Sequence, residues 1–144
     1  MKFSVFIETT VPSMYHETRA TEKLSGWRRS TREFWKRRDY FHFVTSPFVH
    51  LELDASPEPK RSAMFELMAD IEILDSHSQI PEIATQYVRA KLMPSEDFGD
   101  AVHLAFASFH EIEFLATWNC KHLANALKIR SLEIFHRQLL CQNS

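Results

Sequence analysis

Glycine is almost missing from this chain of 144 residues, which has only Gly26 and Gly99. Loops that cradle phosphate need several glycines for close backbone approach, so dinucleotide-binding and P-loop chemistry are excluded. Cysteine is equally scarce, at Cys120 and Cys141. Together with the lack of a charged-then-apolar leader, this argues against a secreted, disulfide-framed protein and for a reduced, cytoplasmic setting. No apolar run reaches the ~18 residues of a membrane-spanning helix, so no membrane partner is expected. What remains is an ordinary hydrophobic content of 44% on a chain long enough to bury a core as one domain over residues 1–144.

The formal charge of −2 conceals a segregation. Between Arg19 and Asp39 there are eight basic and three acidic side chains, a local charge of +5, against −7 for the rest of the chain. Positive potential gathered on one element suits a protein that handles a polyanion or an acidic partner, although a Lys/Arg-rich helix is most often a solvated face.

Periodicity gives alternating strands and helices. Phe3–Ile7 is a short apolar run that reads as a strand, and Thr9, Thr10 and Pro12 then offer capping and first-turn chemistry for a helix. From Leu24 to Tyr40 apolar residues recur every three or four positions, an amphipathic helix with aromatics inside and cations outside. Phe41–Thr45 reads as a strand, and Ser46-Pro47 opens a helix that carries Glu52. Helices are expected over 61–69, 80–93 and 123–140, with strands at 71–74 and 114–117. Pro94 to Asp97 marks the start of a further helix bearing Asp100. Such alternation implies an α/β fold with a central parallel sheet, whose ligands bind outside the carboxyl ends of the strands.

Glu8, Glu52, Asp100 and Asn119 lie far apart in sequence, each beside strand or helix signals. Taken singly they have plain readings: Glu8 a charge at a helix N-terminus, Glu52 a solvated carboxylate, Asp100 a first-turn charge, Asn119 a turn residue. Brought together at one sheet edge, their oxygens would suit a hard divalent cation. His103 and His122 lack the clustered cysteines or the His-Glu-x-x-His spacing of a zinc site, and no nucleophile motif surrounds either cysteine.

In order, Glu8-Thr9-Thr10, Val49 to Glu52, Asp100 to Ala105 and Thr117-Trp118-Asn119 resemble the motifs of the PIN-domain family of metal-dependent ribonucleases, in particular the VapC-type toxins. The stretch Thr117 to Asn125, TWNCKHLAN, is similar to one branch of that family. The resemblance implies a three-layer α/β/α PIN-like domain and a metal-dependent endoribonuclease. It also implies an RNA substrate, a cognate antitoxin and a homodimer. It makes Glu8, Glu52 and Asp100 ligands of Mg²⁺ or Mn²⁺, Asn119 a polar outer ligand at the catalytic site, and Thr9, Thr10 and Thr117 hydroxyls that orient ligands or waters. The chain departs from the pattern in having Glu8 where the family usually has Asp, and in stopping soon after Leu140, a shortened C-terminal end. Those departures define the alternative, a degenerate PIN-like domain that binds RNA or protein without turnover.

Overall fold

The computed structural model describes residues 2–90 and 98–119. Strand β1 (Phe3–Ile7) becomes more buried along its length, with Val5, Phe6 and Ile7 all enclosed. Helix α1 (Thr10–Tyr15) follows directly, and α2 (Glu22–Lys36) begins at Thr21, whose hydroxyl accepts from the Leu24 amide at 3.2 Å. The expected 24–40 helix therefore starts earlier and stops at Lys36. Arg37 leaves helical geometry, its amide returns to the Phe34 and Trp35 carbonyls, and Arg38–Tyr40 forms a single 3-10 turn into the next strand. The break lets the Arg38 guanidinium lie over Trp35 while pairing with Asp70 at 3.0 Å.

Between α1 and α2, Glu17 organises the connection. Its carboxylate takes the Arg19 side chain and the amides of Thr18 and Arg19, and the Arg19 hydrogen bonds hold its pKa down to about 2. Strand β2 (Phe41–Thr45) leads through Ser46, which accepts from the Val49 amide at 3.1 Å, into α3 (Pro47–Asp54). Proline at the first helical position and serine before it are the start signals found in the sequence. Then come α4 (Lys60–Met68), the short β3 (Glu72–Ile73), α5 (Gln79–Arg89), α6 (Phe98–Phe109) and β4 (Phe114–Ala116). The helix expected over 80–93 ends at Arg89. The Pro94 to Asp97 helix start, the 123–140 helix, His122, both cysteines and the shortened C-terminal end lie outside the described residues.

The fold is α/β with a four-stranded, all-parallel sheet in the order β3-β2-β1-β4. Phe3 to Phe6 pair with Phe41 to Val44 on one side of β1, and Val5 to Ile7 with Phe114 to Ala116 on the other. The chain thus steps from β1 outward through β2 and β3, then crosses back to add β4 beside β1. Right-handed crossovers in opposite directions put the connecting helices on opposite faces. Accordingly α1 packs on α2 and α4, α3 on α4, and α5 on α6. Helix α6 is apolar nearly all round, with Ala101, Leu104, Ala105, Phe106 and Ala107 buried, because the α5 layer covers the side turned from the sheet. Among the described residues no helix is long and apolar enough to cross a membrane.

Candidate functional site

Strand order reverses between β1 and β4, so the chains leaving their carboxyl ends diverge and open a crevice there, the place where open α/β sheets bind ligands. Glu8 is the first residue past β1 and is 2% exposed. Its amide donates to the Ala116 carbonyl at 3.4 Å, continuing the β1–β4 ladder. Its Oε1 accepts the Thr10 amide at 2.5 Å and the Thr10 hydroxyl. Burial pushes the Glu8 carboxyl up, and the Asp100 charge adds to this, against the opposing pull of His103 and the Thr10 hydrogen bonds. The leading cause is desolvation, which disfavours the ionised form of a buried carboxyl.

The β4 side supplies the matching groups. The Trp118 amide donates to the Thr10 hydroxyl oxygen at 2.8 Å, and Thr117 Oγ1 lies 3.5 Å from it. The Asn119 amide donates to Thr117 Oγ1 at 2.9 Å, folding the chain so that its carboxamide nitrogen donates to Asp100 Oδ2. Asn119 and Asp100, 19 residues apart, thereby meet above the ends of β1 and β4.

Glu52 approaches from α3. Its Oε1 accepts the Thr9 hydroxyl and the His103 Nε2–H, the latter at 2.6 Å. The expected capping role of Thr9 is therefore not what its side chain does: Thr9 precedes α1 in helical geometry with no side-chain cap bond, and its hydroxyl goes to Glu52. Burial alone would raise Glu52, but the His103 hydrogen bond and charge, with the Thr9 hydroxyl, hold it below the ordinary carboxylate value. Burial would likewise lower His103, yet the Glu52 hydrogen bond and the charges of Glu8, Glu52 and Asp100 raise it. His103 thus connects electrically to all three acidic residues. The lack of zinc-site spacing around His103 says nothing of this role; the signal in the sequence is its spacing of three from Asp100, which puts both on one side of α6.

Neither Glu52 nor Asp100 presents its full carboxylate to the crevice: Thr9 and His103 occupy Oε1 of Glu52, and Asn119 occupies Oδ2 of Asp100. Consistent with this, among the described residues no three His, Cys, Asp or Glu side chains are placed to hold an ion as a set. That arrangement is not an all-protein cage; Mg²⁺ in general keeps several waters and binds through one or two carboxylates. The donors are hard oxygens, as Mg²⁺ and Mn²⁺ prefer.

The fold matches solved structures. A chain of VapBC2 from Rickettsia felis, bound to a DNA fragment from their promoter, superposes with a TM-score of 0.58 at 14% identity, covering 95% of this chain and 99% of that one. A chain of FitAcB from Neisseria gonorrhoeae superposes with a TM-score of 0.51 at 15% identity, covering 85% and 92%. No family model and no curated protein matches the sequence. At these identities the likeness establishes a PIN-like fold.

Proposed function

We propose that this protein is a metal-dependent endoribonuclease that hydrolyses RNA phosphodiester bonds, the toxin of a type II toxin–antitoxin pair. The observation that carries this reading is the Glu8 carboxyl, 2% exposed past the end of β1 at the β1–β4 switch point and close enough to Asp100 and His103 to feel the charge of both. Glu8 and Asp100 would hold Mg²⁺ or Mn²⁺, with Glu52 and the Asn119 carboxamide acting directly or through water. When bound, the ion supplies a water of lowered pKa and offsets charge developing on the phosphate. The Thr10 hydroxyl and amide fix the Glu8 carboxylate, Thr117 fixes Asn119, and Thr9 fixes Glu52, so the oxygens are oriented before substrate arrives. No covalent protein nucleophile is required.

The toxin–antitoxin structures that share this fold support an antitoxin partner. A groove of about 560 Å³ between α1, α2 and α4, walled by Tyr15, Trp35 and Leu67 and edged by Arg38, Glu66 and Asp70, offers an antitoxin both apolar and charged contacts. RNA as substrate, the homodimer, the cytoplasmic setting and a single domain over residues 1–144 belong to the same proposal.

The test is incubation of the purified protein with mixed RNA plus Mn²⁺, Mg²⁺ or chelator, alongside Asp100→Asn and Glu8→Asp. Chelator-sensitive cleavage that falls at least ~100-fold in Asp100→Asn is the expected result, since that change removes a charge from the ion's surroundings. A second reading, a PIN-like domain that binds RNA or protein without turnover, is favoured by one observation, the engagement of Glu52 and Asp100 by protein donors. An inert parent made active by Glu8→Asp, or RNA binding without cleavage in every variant, would decide for it.

A further inference from the structure

Of the tryptophans at positions 27, 35 and 118, Trp35 and Trp118 are each 6% exposed, whereas Trp27 is half-buried and reachable from solvent. Its ring is the middle layer of a stack. Trp118 lies against it with centroids 4.6 Å apart and planes 13° from parallel, and the Lys23 ammonium stands 4.6 Å from its centroid. Trp118 covers one face of the ring, so Lys23, about one helical turn earlier on α2, caps the other. Several other cations of this region are held differently: Arg28 and Arg32 donate to backbone carbonyls, Lys36 pairs with Glu33 and Arg38 with Asp70. Among the described residues the Lys23 ammonium is in no ion pair; its partner is the Trp27 face, and its side chain is exposed and free to swing away. A cation over a ring at an exposed position is held more weakly than a nucleobase stacked on the same face. On its far side the stack reaches the crevice, because the Trp118 amide donates to the Thr10 hydroxyl oxygen at 2.8 Å and the next residue, Asn119, donates to Asp100.

We propose that the Lys23-covered face of Trp27 is a stacking platform for an unpaired base of single-stranded RNA, with Lys23 moving onto the adjacent phosphate. The inference rests on the RNA reading above and names the form of RNA taken, one whose bases are free to stack on protein. It requires no bound ion. A nucleotide joins a flat ring to an anion and so matches both parts of the Trp27 and Lys23 pair, whereas a run of acidic side chains matches only the cation.

The test is fluorescence anisotropy in chelator, comparing a labelled oligouridylate with an abasic ribose-phosphate strand of the same length, melting temperature being recorded in parallel. The readout is the ratio of the two affinities, which a merely electrostatic or structural role does not move. In the parent the oligouridylate is expected to bind at least about 5-fold more tightly than the abasic strand. Trp27→Leu is expected to bring that ratio to about one with abasic binding unchanged. Lys23→Ala is expected to keep the ratio and to flatten the slope of log affinity against log salt by about 0.7. A check in the unsubstituted protein needs no variant to fold: with Trp35 and Trp118 enclosed, oligouridylate should quench tryptophan emission through Trp27 and the abasic strand should not. Equal affinity of the parent for the two strands, a ratio that survives in Trp27→Leu, or quenching by both strands alike overturns the proposal. Polyglutamate bound more tightly than oligouridylate overturns it in favour of an acidic protein partner. A parent that binds neither strand at low salt overturns the RNA reading itself, an outcome distinct from equal binding of both.

Discussion

At Glu8 the chain puts a carboxyl group past the end of an interior strand, where burial raises its pKa above the ordinary carboxylate value. A raised carboxyl binds protons more readily in the folded than in the unfolded state. Without a cation, the stability it allows is therefore fullest at low pH and declines as pH rises through the folded pKa. Glu8→Gln keeps an oxygen to accept from Thr10 while removing the charge. In chelator near neutral pH it is expected to raise the melting temperature, by about 3 °C for each kcal/mol of relieved burial. It should also abolish the upward shift that Mn²⁺ gives the parent; calorimetric melting of both proteins with and without Mn²⁺ checks this. The four candidate residues were legible in sequence because each sits at the end of a strand signal or on a helix signal. The division of labour among them was not. That Glu52 would spend one oxygen on Thr9 and His103 depends on α3 and α6 meeting, which no local pattern encodes.

Among the elements, α2 shows how a periodic pattern and a tertiary role can differ. Its basic and apolar faces were visible from spacing, but its link to the site was not, because that link is made by Thr31, a polar residue within the apolar stripe. Thr31 is fully buried, donates to the Trp27 carbonyl at 2.7 Å and accepts the Trp118 indole N–H at 2.8 Å. Trp118 stacks on Trp27 with centroids 4.6 Å apart, and the next residue is Asn119. Thr31→Val keeps the shape and strands a buried N–H, a loss of about 1–3 kcal/mol. Urea unfolding followed by tryptophan fluorescence should show that loss, with an altered native emission as the indole loses its partner. The end of the same helix, at Lys36, departs from the pattern because hydrophobic spacing continues through residue 40. Spacing cannot register that the chain must turn at Arg37 for Phe41 to enter the sheet. The strands were the most legible elements, since short apolar runs bounded by capping residues leave few alternatives.

Over the whole molecule, charge is divided between a cationic α2 face and an acidic crevice, and Trp118 joins the two. Some of the cations are engaged within the fold: Arg28 and Arg32 donate to the carbonyls of Glu17 and Tyr15, and Arg38 pairs with Asp70. Arg29 and Arg37 are exposed. If RNA follows this face, Arg29→Ala and Arg37→Ala should each weaken binding a few-fold and flatten the slope of log affinity against log salt by about 0.7. Fluorescence anisotropy over a salt series measures both. One further consequence follows from the Thr10 hydroxyl, which donates to Glu8 after β1 and accepts from the Trp118 amide after β4. A single oxygen atom ties together two strand ends that are 108 residues apart in sequence. Any breathing of one strand end must release the other, so deuterium uptake at the Trp118 amide will report the closure of the whole crevice, and an antitoxin or ion that tightens it will slow that one amide.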